Sequence, residues 1–482
     1  MNYSLISMEI AVVLLGLGLL LADLWLAPPA KVRLGYVAAV GLALIFGWSF
    51  TFSGTPSALA FSDMYVLDPL ALYFKRFSLL AAIVVLIMSV GFAERIAAGI
   101  SEFYALILFA LAGMMFAASA NDLAMLFVAM ELITVTFYVL TSFQRARLAS
   151  LEGGVKYLII GALSSAFLVY GIALIFGTTG QLNFDQIAAV ASKYEDNKIF
   201  LLGVFFVLVG LCFKIAAFPA HIWTPDVYQG SPVPAAAFLA VGSKAAGFAL
   251  LLRVLFTAVP GITNGWNHLL IALAIVTILY GNLCAIPQRN LKRILGYSSI
   301  ANAGYLLLGV AALNNAGRAA ILYYLGGYLF AVLAAFLVIL IVMNDAEGED
   351  ISVLAGLNQR SPLLAAVLTC ALVSLAGIPP LAGFFGKFLL IRAVLDEAAN
   401  NPACYWLVAV ACFGVVVSIY YYFGVIRAIY WSKDPPVLSP IPVPRVLGAA
   451  LVFCLLGMLY LGLFPNHLVE TTQDAVKFWA GR

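Results

Sequence analysis

Long apolar runs of about twenty residues, separated by short polar connections, follow one another along the whole chain. A helix needs roughly 20 apolar residues to cross a bilayer, so this pattern predicts an all-α polytopic membrane protein with about fourteen transmembrane helices. The predicted spans are 8–26, 34–53, 66–91, 102–119, 122–143, 154–177, 199–222, 233–259, 267–288, 291–313, 316–343, 362–394, 403–430 and 446–464. The tail Glu470–Trp479 is expected to form a short amphipathic surface helix.

Two of these spans contain prolines at corresponding places. The fourth of five consecutive spans is interrupted at Phe218-Pro219-Ala220-His221, and the fourth of the next five at Gly377-Ile378-Pro379-Pro380. Proline breaks a helix, and an odd number of spans per unit inverts the second copy in the membrane. We therefore expect antiporter-like inverted five-helix repeats with two broken helices. The predicted divisions are a three-helix segment 1–99, the repeats 100–260 and 261–432, and a last span with tail 433–482.

The basic residues predict how the chain is oriented. The loops after odd-numbered spans carry most of them, and cytoplasmic loops are rich in Lys and Arg. The pattern therefore predicts a multi-pass protein with both termini outside and the loops after odd-numbered spans in the cytoplasm. The residues concerned are Lys31, Arg33, Arg95, Arg145, Arg147, Lys156, Arg289, Lys292, Arg293, Arg360, Lys433 and Arg445.

Composition narrows the functional classes. The chain is 64% hydrophobic and 10% charged, with a net charge of only +3 and no basic block, so nucleic-acid binding is not indicated. Its six cysteines lie inside apolar runs and form no CxxC pair. The sequence thus predicts neither a zinc site nor an iron–sulfur cluster, and no metal or other cofactor in this chain.

Few charged residues lie inside predicted spans, and four of them are the main candidates for function: Glu131, Lys214, Lys244 and Lys387. A charge at the centre of a transmembrane helix costs roughly 2.5–3.5 kcal/mol on insertion scales, so each requires pairing, water or a function. Burial disfavours an ammonium and a nearby carboxylate favours it. An acid that approaches and leaves a lysine could therefore load and unload a proton, and Glu131 with Lys214 is the candidate pair. The alternative is that these charges hold helices together.

Two further residues are secondary candidates. His221 lies in the first break, and histidine titrates near physiological pH, although a structural hydrogen-bonding histidine is equally compatible with the sequence. Lys292 begins the tenth predicted span beside Arg293. A lysine there could instead reach the interface as an anchor.

Three long motifs carry a family resemblance. They are FKIAAFPAHIWTPDVYQGSP at 213–232, NLKRILGYSSIANAGY at 290–305 and LAGIPPLAGFFGK at 375–387. With these motifs the chain resembles, over essentially its whole length, subunit N of bacterial respiratory complex I (NADH:quinone oxidoreductase), the relative of mitochondrial NADH dehydrogenase subunit 2. In the first motif, the residues that follow Trp223 differ from those of the antiporter-like sister subunits.

The resemblance implies a proton-translocating subunit of the membrane arm, located in a bacterial inner membrane, so that both termini would face the periplasm. It implies that Glu131 and Lys214 are coupled, that Lys244 is central and that Lys387 lies toward the periplasm. Redox chemistry would occur in other subunits, which would hold NAD, FMN, iron–sulfur clusters and quinone. The implied partners are neighbouring antiporter-like and small membrane subunits, and the lipid bilayer. Many relatives have histidine where this chain has Asn302, and asparagine cannot titrate.

Two other functions remain open from sequence. The chain could belong to a related cation/proton antiporter or membrane-bound hydrogenase, or it could be a structural assembly subunit.

Overall fold

The computed structural model describes residues 3–54, 57–345, 348–431 and 439–479. Thirteen helices in these ranges are long and apolar enough to cross a membrane. Two shorter helices, Pro362–Ala376 and Ala382–Glu397, follow one another in the remaining predicted span, 362–394. In chain order the helices are α1 Tyr3–Asp23, α2 Pro28–Phe52, α3 Pro69–Gly91, α4 Ile100–Ala118, α5 Leu123–Thr141, α6 Leu148–Thr179, α7 Lys198–Ile215, α8 Val233–Ala258, α9 Asn267–Ala285, α10 Leu291–Ala311, α11 Asn315–Asp345, α12 Pro362–Ala376, α13 Ala382–Glu397, α14 Ala403–Trp431 and α15 Arg445–Leu463.

The connections contain little other regular structure. A small antiparallel hairpin, β1 Ala58–Ala60 and β2 Tyr65–Leu67, precedes α3. The predicted amphipathic tail begins earlier than expected, at Asn466, and a short turn ends it at Trp479. The short helices are Phe184–Ala191, Thr224–Gly230, Pro260–Gly265, Leu357–Arg360 and Asn466–Val476, with 3-10 turns at Ala93–Arg95, Ser192–Tyr194, Ile351–Leu354 and Lys477–Trp479.

Both predicted helix breaks are present. Helix α7 ends at Ile215, because Ala216 has a left-handed conformation with φ 59° and Pro219 follows within the non-helical segment. Helix α12 ends where Gly377 has φ 86°, a conformation that glycine adopts without steric cost. The chain resumes as a helix at Thr224 after the first break and at Ala382 after the second.

The two five-span units pack in the same sequence of neighbours. In the first unit α4 contacts α5, α5 contacts α6 and α6 contacts α7. In the second unit α9 contacts α10, α10 contacts α11, and α11 contacts both α12 and α13. The predicted all-α, antiporter-like fold is confirmed. The exact domain limits remain predictions, and the limit at 432/433 lies outside the described residues, as does Lys433.

The loops separate into two faces as the charge pattern predicts. The loops after odd-numbered spans meet: Arg147 pairs with Glu349, and Asn290 forms a backbone bridge with Asp350. On the opposite face Tyr65 bridges Ala120, and other loop residues there are joined in the same way. These contacts place the connected loops on two separate faces. That the basic face is the cytoplasmic one remains a prediction.

The helices differ greatly in burial. Helices α8 and α10 are completely buried within the bundle along their most apolar windows, whereas only about a third of α1 and of α2 is covered. The predicted central lysine lies on α8, so it occupies the best protected part of the molecule.

Candidate functional site

All four candidate lysines are buried. The exposed fraction is 3% for Lys214, 2% for Lys244, 4% for Lys387 and 0% for Lys292. A buried ammonium requires hydrogen-bond acceptors or a counter-charge, so the partners of each amine define what it can do.

Lys214 contacts a threonine on the helix that carries Glu131. The Lys214 ammonium donates to the Thr134 hydroxyl, and Thr134 lies one helical turn after Glu131 on α5. The Glu131 carboxylate accepts a hydrogen bond from Ser165 of α6. In this conformation Lys214 therefore contacts the hydroxyl rather than the acid directly.

Lys244 is held by a cluster of hydroxyl groups. Its ammonium donates to the carbonyl oxygen and the hydroxyl of Ser299 on α10. The same hydroxyl lies 2.9 Å from the Tyr228 hydroxyl and accepts from Tyr328 at 3.2 Å. A π-helical turn, Leu239–Ser243, immediately precedes Lys244. Such turns inside α-helices often occur at functional sites, because they redirect the residues around them.

A second polar cluster lies on α10 beside the first. Asn302 donates to the carbonyl of Ser298 at 2.9 Å and accepts from the Tyr324 hydroxyl. The Ser298 hydroxyl is hydrogen-bonded to Tyr422 of α14. At the position where many relatives have histidine, this chain thus has an amide in a network of hydroxyl groups.

Lys387 is bound by the end of a half-helix. Its ammonium donates to the carbonyls of Leu375 and Ala376 at 2.9 and 3.1 Å and lies 4.3 Å from the centre of the Tyr305 ring. Carbonyls at a helix C-terminus carry partial negative charge. Gly377 permits this approach, because a Cβ there would lie 2.8 Å from the Lys387 side chain.

The first break contains polar groups without partners. His221 is 2% exposed, and neither ring nitrogen has a hydrogen-bond partner within the described ranges. Its ring instead packs edge-on against Tyr280, with 4.1 Å between centroids. Trp223 Nε1 and Thr224 Oγ1 are likewise buried and unpartnered there. Buried polar groups are normally satisfied, often by ordered water.

Lys292 is ion-paired inside the protein. Its ammonium lies 3.0 Å from Glu349 Oε1 and donates to the Ser231 carbonyl at 3.1 Å. Complete burial disfavours the interpretation of Lys292 as an interface anchor.

Sequence reasoning missed a second charged cluster. Lys75 of α3 pairs with Glu9 of α1 at 2.7 Å, and both side chains are fully buried. The Tyr65 hydroxyl donates to Glu9 at 3.0 Å and accepts from Lys75 at 2.5 Å. The signal was present in the sequence, since both charges lie inside apolar spans.

Arg253 and Asp68 form another buried pair. Asp68 caps α3 by accepting from the Ala71 amide at 2.7 Å, and the Arg253 guanidinium donates to both carboxylate oxygens at 2.8 and 3.0 Å. The pair joins the N-terminal segment to α8. Among the described residues no group of three or more His, Cys, Asp or Glu could hold a metal ion.

Comparison with known proteins places this arrangement in a family. The family profile described as NADH:quinone oxidoreductase/Mrp antiporter, TM matches residues 120–418. NADH-quinone oxidoreductase subunit N of Moorella thermoacetica is 40% identical over 479 residues, which cover 99% of each chain. NAD(P)H-quinone oxidoreductase subunit 2 of Gloeothece citriformis is 37% identical, over 95% of this chain and 91% of that protein.

Solved structures agree with this placement. A chain of respiratory complex I from Thermus thermophilus with bound aureothin matches with a TM-score of 0.80 and 33% identity, over 96% of this chain and 98% of that chain. A chain of the Mrp complex from Dietzia sp. matches with a TM-score of 0.82 but 22% identity, over 99% and 97% respectively, and so shares the fold. With full-length relatives near 40% identity and a shared fold, the chain belongs to the NADH-quinone oxidoreductase subunit N family.

Proposed function

We propose that this subunit conducts protons through the membrane arm of NADH:quinone oxidoreductase. Glu131, Lys214, Lys244 and Lys387 are the relay groups, with His221 and Lys292 in secondary roles. Each lysine takes up a proton to become an ammonium. It becomes a neutral amine again when it gives the proton to the next acceptor.

The observation that carries the proposal is the hydrogen-bonded connection at the centre of the bundle. Lys244, on the fully buried α8, contacts Ser299, whose hydroxyl also contacts Tyr228 and Tyr328. Hydroxyl groups both donate and accept, so they can pass a proton along a chain of hydrogen bonds. Static pairing of helices would not require such a chain on an amine that has no acid beside it.

The energy must come from elsewhere in the assembly. Moving one charge against 100 mV costs about 2.3 kcal/mol. The NAD, FMN, iron–sulfur clusters and quinone are proposed to belong to partner subunits of the oxidoreductase, with which this chain assembles in the inner membrane. Both termini are proposed to face the periplasm, since the basic loops lie together on the other face.

Replacement of Lys244 by methionine tests the proposal. Methionine keeps the unbranched side chain and most of its packing but removes the titratable amine. In the assembled complex in sealed vesicles, we expect redox-driven proton pumping to fall by about tenfold or more, as for loss of an acid–base group. The matched control is Lys193→Met, which removes an exposed lysine from a loop and should leave pumping unchanged.

A structural assembly subunit would behave in the opposite way. Lys244→Met would then lower the amount of assembled complex while pumping per complex stayed at the wild-type rate. That result would overturn the proposal.

A further inference from the structure

Glu349, in the loop after α11, contacts Lys292, the buried lysine at the start of α10. The segment after α11 is attached to the start of α10 by two backbone hydrogen bonds: the Leu291 amide donates to the Glu349 carbonyl at 2.8 Å, and the Ile351 amide donates to the Arg289 carbonyl at 2.9 Å. These bonds hold the Glu349 side chain, about 11% exposed, against the fully buried Lys292.

One carboxylate oxygen serves two cations. Glu349 Oε1 pairs with Lys292 and also with Arg147, which precedes α6. Oε2 accepts a hydrogen bond from the Asn290 side-chain amide at 3.0 Å. Burial alone would raise the pKa of Glu349, but Lys292, Asn290 and Arg147 outweigh it and hold that pKa below its usual range. Glu349 is therefore a carboxylate whose charge Lys292 and Arg147 share.

From Lys292 the polar groups continue inward. The Lys292 ammonium donates to the Ser231 carbonyl, and Tyr228, one turn earlier, contacts Ser299. Lys292 and Ser299 are seven residues apart on α10, so they lie on one face of the helix about 10 Å apart along its axis. Ser299 in turn contacts Lys244.

We propose that Glu349 is a positioning residue that sets the charge of Lys292, and that Lys292 is the proton-loading group of the row that leads to Lys244. This inference rests on the proposed function. In this step an N–H bond of the Lys292 ammonium breaks and an N–H bond forms at the neutral Lys244 amine, while the Tyr228 and Ser299 hydroxyls between them each accept one proton and release another. Glu349 keeps its pairing with Arg147. The neutral Lys292 amine then forms a new N–H bond with a proton from the adjacent aqueous face.

The pH profile of pumping tests this role. In Glu349→Gln the carboxylate is lost and a buried, unpaired ammonium becomes unfavourable, so loading of Lys292 requires a higher proton concentration. We expect near wild-type pumping at pH 6. As the pH rises, pumping should be lost at a pH about one unit lower than in the wild type. Glu349→Asp, which keeps the charge, should restore most of the activity at pH 8.

A second variant predicts the opposite shift. Arg147→Gln removes the competing cation, so Glu349 holds the Lys292 ammonium more tightly and the profile moves to higher pH. The control Glu152→Gln removes an exposed carboxylate of the same face, 59% exposed and paired with Lys156, and should not shift the profile.

The outcomes separate this inference from the proposed function. A pH-independent loss in Glu349→Gln, or an unshifted profile in both variants, would overturn the role of Glu349 even if Lys244→Met abolishes pumping. Undiminished pumping in Lys244→Met would instead overturn the proposed function. If Glu349→Gln fails to assemble, the direction of the shift in Arg147→Gln decides.

Discussion

The two five-span repeats share an architecture but stabilise their lysines differently. In the first repeat, Lys214 lies in the last turn of α7 and is served by a hydroxyl beside an acid, Thr134 and Glu131. In the second repeat, Lys387 lies beyond the break and is bound by the free carbonyls at the end of α12. A helix terminus thus takes the place of the acid.

The second helix of each repeat also differs in the polar groups that it carries. Helix α5 carries a carboxylate, whereas its counterpart α10 carries Ser298, Ser299 and Asn302 in contact with tyrosines. In the first repeat an acid lies on the helix that contacts Lys214, whereas around Lys387 the second repeat offers helix dipoles and an aromatic ring instead. Under the proposed function, the repeats supply one path with two kinds of step rather than two equivalent channels.

The largest effect is expected from replacing either lysine with arginine. Lys214→Arg and Lys387→Arg keep the positive charge, but a guanidinium does not release its proton in proteins. We expect proton pumping to fall by about tenfold or more in both variants while the complex assembles, as measured by pumping per assembled complex. Normal pumping by Lys387→Arg alone would show that only the first repeat uses a titrating lysine.

A smaller effect is expected from Thr134→Val. Valine matches the shape of threonine but leaves the Lys214 ammonium without this acceptor, a change worth about 1–2 kcal/mol. Pumping should slow by about fivefold to thirtyfold if that energy falls on the transfer step. The control is Thr136→Val on the same helix, because the Thr136 hydroxyl donates only to the Leu132 carbonyl, at 2.5 Å. Equal effects of the two variants would contradict a specific link between α5 and Lys214.

The smallest effect concerns the connection between the repeats. Asp226 pairs with Lys156 of α6 at 2.7 Å and with Arg293 of α10 at 2.5 Å. Burial opposes the charge of Asp226, but both partners hold its pKa below the usual value. A lowered pKa stabilises the fold above the unfolded pKa, and that contribution is lost as pH falls through the folded value.

Asp226→Asn should therefore lower the Tm of the solubilised complex at pH 7 and change it much less below pH 3. Since the carboxylate is about 29% exposed, the loss should be on the order of 1 kcal/mol or less. A Tm difference that is the same at both pH values would show that the ion pairs do not connect the repeats energetically.

Much of the fold followed from the sequence, because each signal is local. Twenty-residue apolar runs gave the spans, and prolines 219, 379 and 380 gave the two breaks. The basic residues sorted the loops onto two faces. The free-energy cost of a charge within an apolar span identified Lys244 as a candidate. The same criterion should have identified Lys75 and Glu9, which the family resemblance did not bring forward.

The partners of those charges depend on how distant segments pack. Nothing local to Lys387 indicates that its acceptors are the carbonyls of Leu375 and Ala376, and nothing near Lys244 indicates Ser299. Hydrogen bonds act over about 3 Å, whereas Lys244 and Ser299 are 55 positions apart in the chain, and Arg253 and Asp68 are 185 positions apart. The sequence by itself determined which groups would be buried and ionisable. Only the tertiary structure decided which hydroxyl, carboxylate or helix end meets each one.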